Sequence, residues 1–445
     1  MKRILIWIQR HQNTFRTIIF AFLLMILCGA GLLSLPIASV SGKVPFVDAL
    51  FTSASAACVT GLVVFNTATQ WTLFGKTVIL ILIQIGGLGV ITALIMTMVL
   101  TGRKIGLMER ITMQDAVSAH QTAGIIRFTL FFLSGTALIE GIGTLLLMTV
   151  FVPEHGWLRG FGYALFHSIS AFCNAGFDLL GTKAPFVSMT GYADHAFMNA
   201  VICLLIVIGG IGFLTWRDVI DHKFHFRQYR LQTKVILCMT LFLLALPFLY
   251  FYFTEFRMYE PHERFLLSMF QSVTPRTAGF NTFDYSRMSE NGLLLTVLLM
   301  MIGGAPGSTA GGMKLTTAFI IAVSSAASLR KRKDVNAFHR RIETDAVANA
   351  MTLCTVYIVL LILGTFVISG NEGVPVIQSM FECASALGTV GLTTGITPAL
   401  HTVSKVMLIL FMFFGRVGGL TLAYAMISLA RKYPSRYPAE KLTVG

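Results

Sequence analysis

The chain has 445 residues and a net charge of +14, with 55% hydrophobic and only 12% charged residues. A soluble globular protein carries roughly 25% charge, so a water-soluble enzyme of this length is excluded. The apolar residues fall in runs of about 20 or more, the reach needed to cross a hydrocarbon core, and the chain reads as a polytopic membrane protein.

The first element is a basic stretch, residues 1–16, followed by the apolar run Thr17–Pro36. That run is too long for the short apolar region of a signal peptide, so it reads as a retained first span. Eight long spans are expected, near 17–38, 76–100, 125–151, 197–216, 233–253, 293–325, 346–369 and 405–429. With the N-terminus inside, the cytoplasmic pieces are 1–16, 101–127, 217–234, 326–345 and 430–445, and they hold 23 of the 34 Lys and Arg residues. That asymmetry is the positive-inside rule and puts both termini in the cytoplasm. Charge parcelled into alternate loops also argues against nucleic acid as the partner. The basic inner face suits anionic membrane lipid or an acidic partner, and the slightly acidic outer face mildly concentrates cations.

Between the spans lie four matching segments: Phe51–Leu62 (FTSASAACVTGL), Phe166–Phe177 (FHSISAFCNAGF), Phe270–Phe280 (FQSVTPRTAGF) and Phe381–Leu392 (FECASALGTVGL). Each opens on an aromatic residue, passes small hydroxyl residues, and closes on Gly61, Gly176, Gly279 or Gly391 followed by Leu or Phe. The glycines are spaced by 115, 103 and 112 residues, the regularity of an internal repeat. Each segment is too short and polar to cross a bilayer alone. The expected unit is therefore span, short half-helix, extended turn, span, with half-helices near 46–57, 160–172, 263–273 and 375–386. Non-helical backbone at membrane depth survives only where it is buried in protein or lines water, and four such turns most economically share one axis. The expected fold is an all-α membrane protein of eight transmembrane helices plus four pore half-helices around a pseudo-fourfold central pore. Its units are 1–102, 103–222, 223–332 and 333–445.

Such turns suit an alkali cation, whose water shell backbone carbonyls can replace. Glycine permits positive φ and lets four backbones crowd one axis. The oxygen-bearing turns are Val59-Thr60-Gly61, Asn174-Ala175-Gly176, Thr277-Ala278-Gly279 and Thr389-Val390-Gly391. Hydroxyls at Thr60, Thr274, Thr277 and Thr389 either add ligands or brace the turns. Half-helices that run inward aim their negative dipole ends at the cavity. No Asp or Glu lies in the turns, which disfavours a divalent-cation ring. The alternative role for any one of these glycines is tight helix packing.

The sixth span carries IGGAPGSTAGGMK, Ile302 to Lys314, with five glycines and Pro306 in thirteen residues. Proline lacks a donor and glycine disfavours helix, so a broken helix is expected, facing water or ion. Gly307 and Gly312 have P-loop spacing, but Met313 stands where lysine is required, so nucleotide binding is not expected. IGGLGV at 85–90, IGGIGF at 208–213 and GRVGGL at 415–420 read mostly as close helix packing. Arg416 lies at membrane depth, where an arginine is expensive and functional by default. It either bonds loop carbonyls and raises a barrier to cations or partners a helix C-terminus. Lys314 closes the loop, Glu140 reads as an internal hydrogen-bonded anchor, and Arg276 as an outer brace of the third turn. The seven cysteines, in apolar stretches without metal-ligand spacing, read as small buried hydrophobes. No Ser/His/Asp order, carboxylate pair or HExxH helix is present, so catalysis has no candidate.

With these residues in view, above all SVTPRTAGF at 272–280 and the Gly-rich block, the sequence resembles the Trk/Ktr/HKT superfamily of potassium transporters over nearly its whole length. The resemblance implies four linked M1–P–M2 units and a filter with one glycine per repeat. In plant relatives serine at the first filter position goes with sodium preference, so Gly61 implies K+ as the transported ion. It also implies a gate under the filter, made of Gly303, Gly304, Ala305, Pro306, Gly307, Ser308, Thr309, Ala310, Gly311, Gly312 and Lys314, with Arg416 beside it. The implied partners are a second copy in a homodimer and a cytosolic nucleotide-binding ring of RCK type, the KtrA regulatory subunit. A coupled symporter with alternating access is the rival; inverted repeats would favour it, whereas these units run parallel.

Overall fold

A computed structural model describes residues 14–90, 92, 124–181, 186–223, 225–332, 334–419 and 440. The basic start (1–13), most of loop 101–127, the second span from residue 93 and the last span beyond Gly419 lie outside the described residues. In chain order the helices are α1 (Thr14–Leu33), α2 (Phe46–Ala57), α3 (Leu73–Leu88), α4 (Ile125–His155), α5 (Trp157–Phe172), α6 (Ala196–Ile211) and α7 (Phe213–His222). They continue with α8 (Leu231–Tyr250), α9 (Pro261–Val273), α10 (Glu290–Met301), α11 (Leu315–Leu329), α12 (Thr344–Glu372), α13 (Val376–Gly388) and α14 (Thr402–Val417). Besides two-residue strands at Asn336–Ala337 and Arg340–Arg341, the described residues are helices and connecting turns.

Four helices, α1, α4, α8 and α12, are long and apolar enough to cross a membrane. They leave large apolar side chains facing outward, among them Phe20, Leu138, Leu241 and Phe366 at 63–70% exposure. A lipid environment makes that arrangement favourable and water would not. The chain is a multi-pass membrane protein.

The four short helices fall where the sequence places them. Three begin at a proline, with Pro45 and Pro375 preceding α2 and α13 and Pro261 opening α9; its fixed φ and missing N–H cost nothing at a helix start. Each packs against the long helix before it: α1 with α2, α4 with α5, α8 with α9 and α12 with α13. The next pairing runs between units. Helix α3 packs on α5, α6 on α9, α10 on α13, and α14 returns to α2. The order closes on itself.

The second helix of each unit is where the sequence reading needs correction. The span expected at 197–216 is not one helix: α6 ends at Gly212, and α7 leaves at 92°. Helix α3 ends at Gly89 and α14 at Gly418, both with positive φ like Gly212. The glycine pairs read as packing residues do pack: a methyl on Gly86, Gly209 or Gly415 would strike the carbonyl of Ala57, Phe172 or Leu387, at the ends of α2, α5 and α13. Three residues later the same motif breaks the helix, which packing alone would not require. In the third unit, α10 and α11 are separated by the expected break. The cysteine reading also needs correction: Cys58, Cys173, Cys203 and Cys383 are buried, but Cys28 and Cys238 are exposed on α1 and α8.

Candidate functional site: a ring of four glycine turns

Each short helix ends in a turn with the same dihedral signature. Two residues of positive φ flank one of negative φ: Val59 and Gly61, Asn174 and Gly176, Thr277 and Gly279, Thr389 and Gly391. Branched side chains at positive φ are genuine outliers, and such strain persists only where the surroundings over-determine it. Alternating φ turns successive N–H groups to one side and carbonyls to the other.

The N–H groups are tied back to the helix by the hydroxyl residue at the fifth motif position. Thr60 and Gly61 donate to the carbonyl and Oγ of Ser55 at 2.8 and 3.0 Å, and Val390 and Gly391 do the same with Ser385 at 2.8 and 3.0 Å. In the two middle turns Ala175 and Ala278 donate to the carbonyls of Ser170 and Thr274, whose hydroxyls donate to Phe177 O and Phe280 O. Removing one partner leaves a buried donor unpaired at about 1–3 kcal/mol. Ser385→Ala should therefore lower the thermal midpoint of the purified protein, whereas an exposed substitution such as Ser41→Ala should not.

With their N–H groups held outward, the turns meet through carbonyls. A methyl built on Gly61 would lie 2.5 Å from Ala175 O, one on Gly176 2.7 Å from Ala278 O, and one on Gly279 2.5 Å from Val390 O. One on Gly391 would strike Thr60 O, which returns to the first turn. All twelve expected turn residues are thus brought into one closed ring. Thr60 Oγ1 and Thr389 Oγ1 are buried there without a hydrogen-bond partner among the described residues. Thr277 Oγ1 instead hydrogen-bonds the Asn174 side chain at 3.2 Å.

A second set of site residues went unrecognised in the sequence. The second motif position is polar and buried in all four copies: Thr52, His167, Gln271 and Glu382. Three of them hold the chain leaving the ring. His167 Nε2 accepts from Leu179 N at 3.3 Å, and Gln271 bonds Thr282 and Tyr285. Glu382 accepts from Thr393, Thr394 and Thr397. Thr52 bonds only its own helix, at Asp48 O. The available signal was the recurrence of a polar residue straight after each opening Phe.

The Gly-rich segment folds as a closed loop, with Gly303 N donating to Met313 O at 2.7 Å and Leu315 N to Gly304 O at 3.1 Å. It is tied to the breaks around it: Ala305 N donates to Gly210 O, Phe213 N to Gly307 O and Gly312 N to Gly415 O. Thr309 Oγ1 donates to Phe172 O at 3.0 Å, at the end of α5. A methyl on Gly311 would strike the Thr389 side chain, so the loop lies directly against the fourth turn. Lys314 folds back on the loop, donating to Ala310 O at 2.7 Å.

Arg416 makes both of the contacts expected of its position. Its guanidinium donates to Thr309 O in the loop and to the carbonyls of Gly86 and Gly87, the latter at 2.9 Å, where α3 ends. It spans the loop and a helix C-terminus at once. Glu140 is an anchor as expected, 7% exposed and receiving Gln84 Nε2 at 3.1 Å. Arg276 is 6% exposed and its Nη2 reaches Thr240 Oγ1 on α8 at 3.4 Å. It braces the third turn from behind.

Comparison with known proteins agrees with this architecture. Residues 8–435 match the family model TrkH, described as a cation transport protein. The chain is 38% identical over 450 residues to the potassium/sodium uptake protein NtpJ of Enterococcus hirae, covering 98% of each. It is 40% identical over 432 residues to Ktr system potassium uptake protein B of Bacillus subtilis, covering 95% of each. Among solved structures it resembles the potassium transporter TrkH from Vibrio parahaemolyticus, with a TM-score of 0.73 at 18% identity over 94% of this chain and 85% of that one. The family match over residues 8–435 and the two near-full-length relatives place the chain in the TrkH family of cation transport proteins.

Proposed function

We propose that this chain takes up K+ across the cell membrane as the ion-translocating subunit of a Ktr-type system. The observation that carries the reading is the closed ring, in which each turn's glycine faces the next turn's carbonyl and the fourth turn's glycine faces the first turn's carbonyl. Four M1–P–M2 units, at 1–102, 103–222, 223–332 and 333–445, surround a pseudo-fourfold pore. The ring is its filter: K+ exchanges hydration for the carbonyls at Gly61, Gly176, Gly279 and Gly391. Loop 302–314, with Arg416, is the gate. At 100 mV, inside negative, an entering monovalent cation gains about 2.3 kcal/mol, so a gated pore needs no coupled ion.

The relatives' names support a subunit that works within a system. The chain acts as a homodimer on a cytosolic nucleotide-binding ring of KtrA type, in a bacterial plasma membrane with both termini in the cytoplasm. A second reading, transport of sodium as well, is favoured by the name of the Enterococcus relative. Growth of a potassium-uptake-deficient bacterium at limiting K+ tests the proposal. Expression should restore growth and 86Rb+ uptake; Rb+ uptake accompanied by sodium uptake would support the second reading, and uptake of neither ion would refute both.

A further inference from the structure

The ring is fourfold in backbone but not in charge. Of the four buried second-position residues, three are neutral. His167 uses both ring nitrogens, Nδ1 against Tyr163 O at 2.7 Å and Nε2 accepting from Leu179 N, which is the pattern of a neutral imidazole. Thr52 and Gln271 carry no charge. Glu382 stands alone, at 0% exposure.

Glu382 is ringed by donors at Oε1, and Oε2 lies beside Thr397 Oγ1, whose one proton is shared between Oε2 and Thr393 Oγ1 at 3.0 Å. Oε1 receives Thr393 Oγ1 at 2.5 Å and Thr394 N at 3.0 Å, and Oε2 is 2.7 Å from Thr397 Oγ1. The Thr394 amide can only donate, and Thr393 Oγ1 already accepts from Gly395 N at 2.9 Å, leaving its proton for Glu382. A carboxylate is acceptor-only. Among the described residues no Lys, Arg or His forms an ion pair with it. A buried charge without a partner is costly, and the species of opposite sign in this setting is the permeating cation.

We infer that Glu382 is a specificity-determining residue that supplies a fully buried negative charge behind the fourth turn and thereby raises the filter's affinity for K+. This rests on the potassium-pore reading. The three threonines hold the carboxylate in place, and the charge acts on the ion through a low-dielectric wall rather than by direct ligation.

The test exploits the internal repeat. Gln271 occupies the equivalent place in the third unit, where its neighbours Thr282 and Tyr285 offer hydroxyls that can donate to a carboxylate. Uptake of 86Rb+ is measured for the full chain with its regulatory ring in proteoliposomes, with protein amount and oligomer size checked for each variant. Glu382→Gln should raise KM about tenfold, equivalent to about 1.4 kcal/mol of lost attraction, with a smaller change in maximal rate. Gln271→Glu alone should lower KM, and the double variant Glu382→Gln/Gln271→Glu should return KM toward wild type. A purely structural Glu382 would leave Gln271→Glu without effect and the double variant worse than either single one, and that result would overturn the inference. If Glu382→Gln does not fold, the Gln271→Glu variant still decides through its KM. Absence of Rb+ uptake by wild type would instead count against the pore reading itself.

Discussion

Gly61→Ser should weaken the preference for K+ over Na+ by about tenfold or more. The first β-carbon atom would lie 2.5 Å from Ala175 O and 3.1 Å from Gly176 Cα, both backbone atoms of the neighbouring turn. It would also sit on a residue with φ of +93°. Neither conflict is relieved by a side-chain rotation, so the neighbouring carbonyl must move. Left-handed strain and a displaced carbonyl each cost on the order of 1–3 kcal/mol, and about 1.4 kcal/mol is tenfold in relative affinity. Competition of Na+ against 86Rb+ uptake measures the ratio. An unchanged ratio in correctly inserted protein would show that the ring does not choose the ion.

Arg416→Ala should raise resting flux. The guanidinium holds Thr309 O on one side and the Gly86 and Gly87 carbonyls on the other, so its loss frees the loop from α3. Hydrogen bonds to a charged donor are each worth about 1.5–3 kcal/mol, enough to shift a closed loop's population by at least tenfold. The same change removes a cation from beside the proposed ion path. Because Arg416 also caps α3, stability must be read in parallel: a large fall in thermal midpoint with flux unchanged would assign it to helix capping alone. Removing Ser308–Ala310 from the loop should raise flux further, since it deletes the Thr309 link to Phe172 O.

Much of this was legible because the four turns carry their instructions locally. The Pro starts, the apolar stretch and the small hydroxyl at the fifth position specify a short helix with an anchored exit, and the helices α2, α5, α9 and α13 lie within three residues of where the sequence places them. The ring itself was less direct, since convergence of segments more than 100 residues apart follows from packing of α3, α6, α10 and α14 on the next unit's short helix. The breaks at Gly89, Gly212 and Gly418 were hidden by the doublets before them: Gly86, Gly209 and Gly415 give a sufficient packing reason for glycine, and apolar residues on both sides keep the run looking like one span. The brace read at Arg276 was legible from its place in the third motif, but its partner Thr240 on α8 was not, since that contact joins residues 36 apart in the chain. Glu382 escaped notice because Thr, His, Gln and Glu share only their polarity in sequence. They share a place only once the turns are folded.

The most direct measurement is the anomalous scattering of rubidium in crystals of the protein. The expected result is a peak enclosed by the carbonyls at Gly61, Gly176, Gly279 and Gly391, weakened in Gly61→Ser crystals. Rubidium bound elsewhere, with the space between the four turns empty at saturating concentration, would contradict the assignment of the ring as the ion's path.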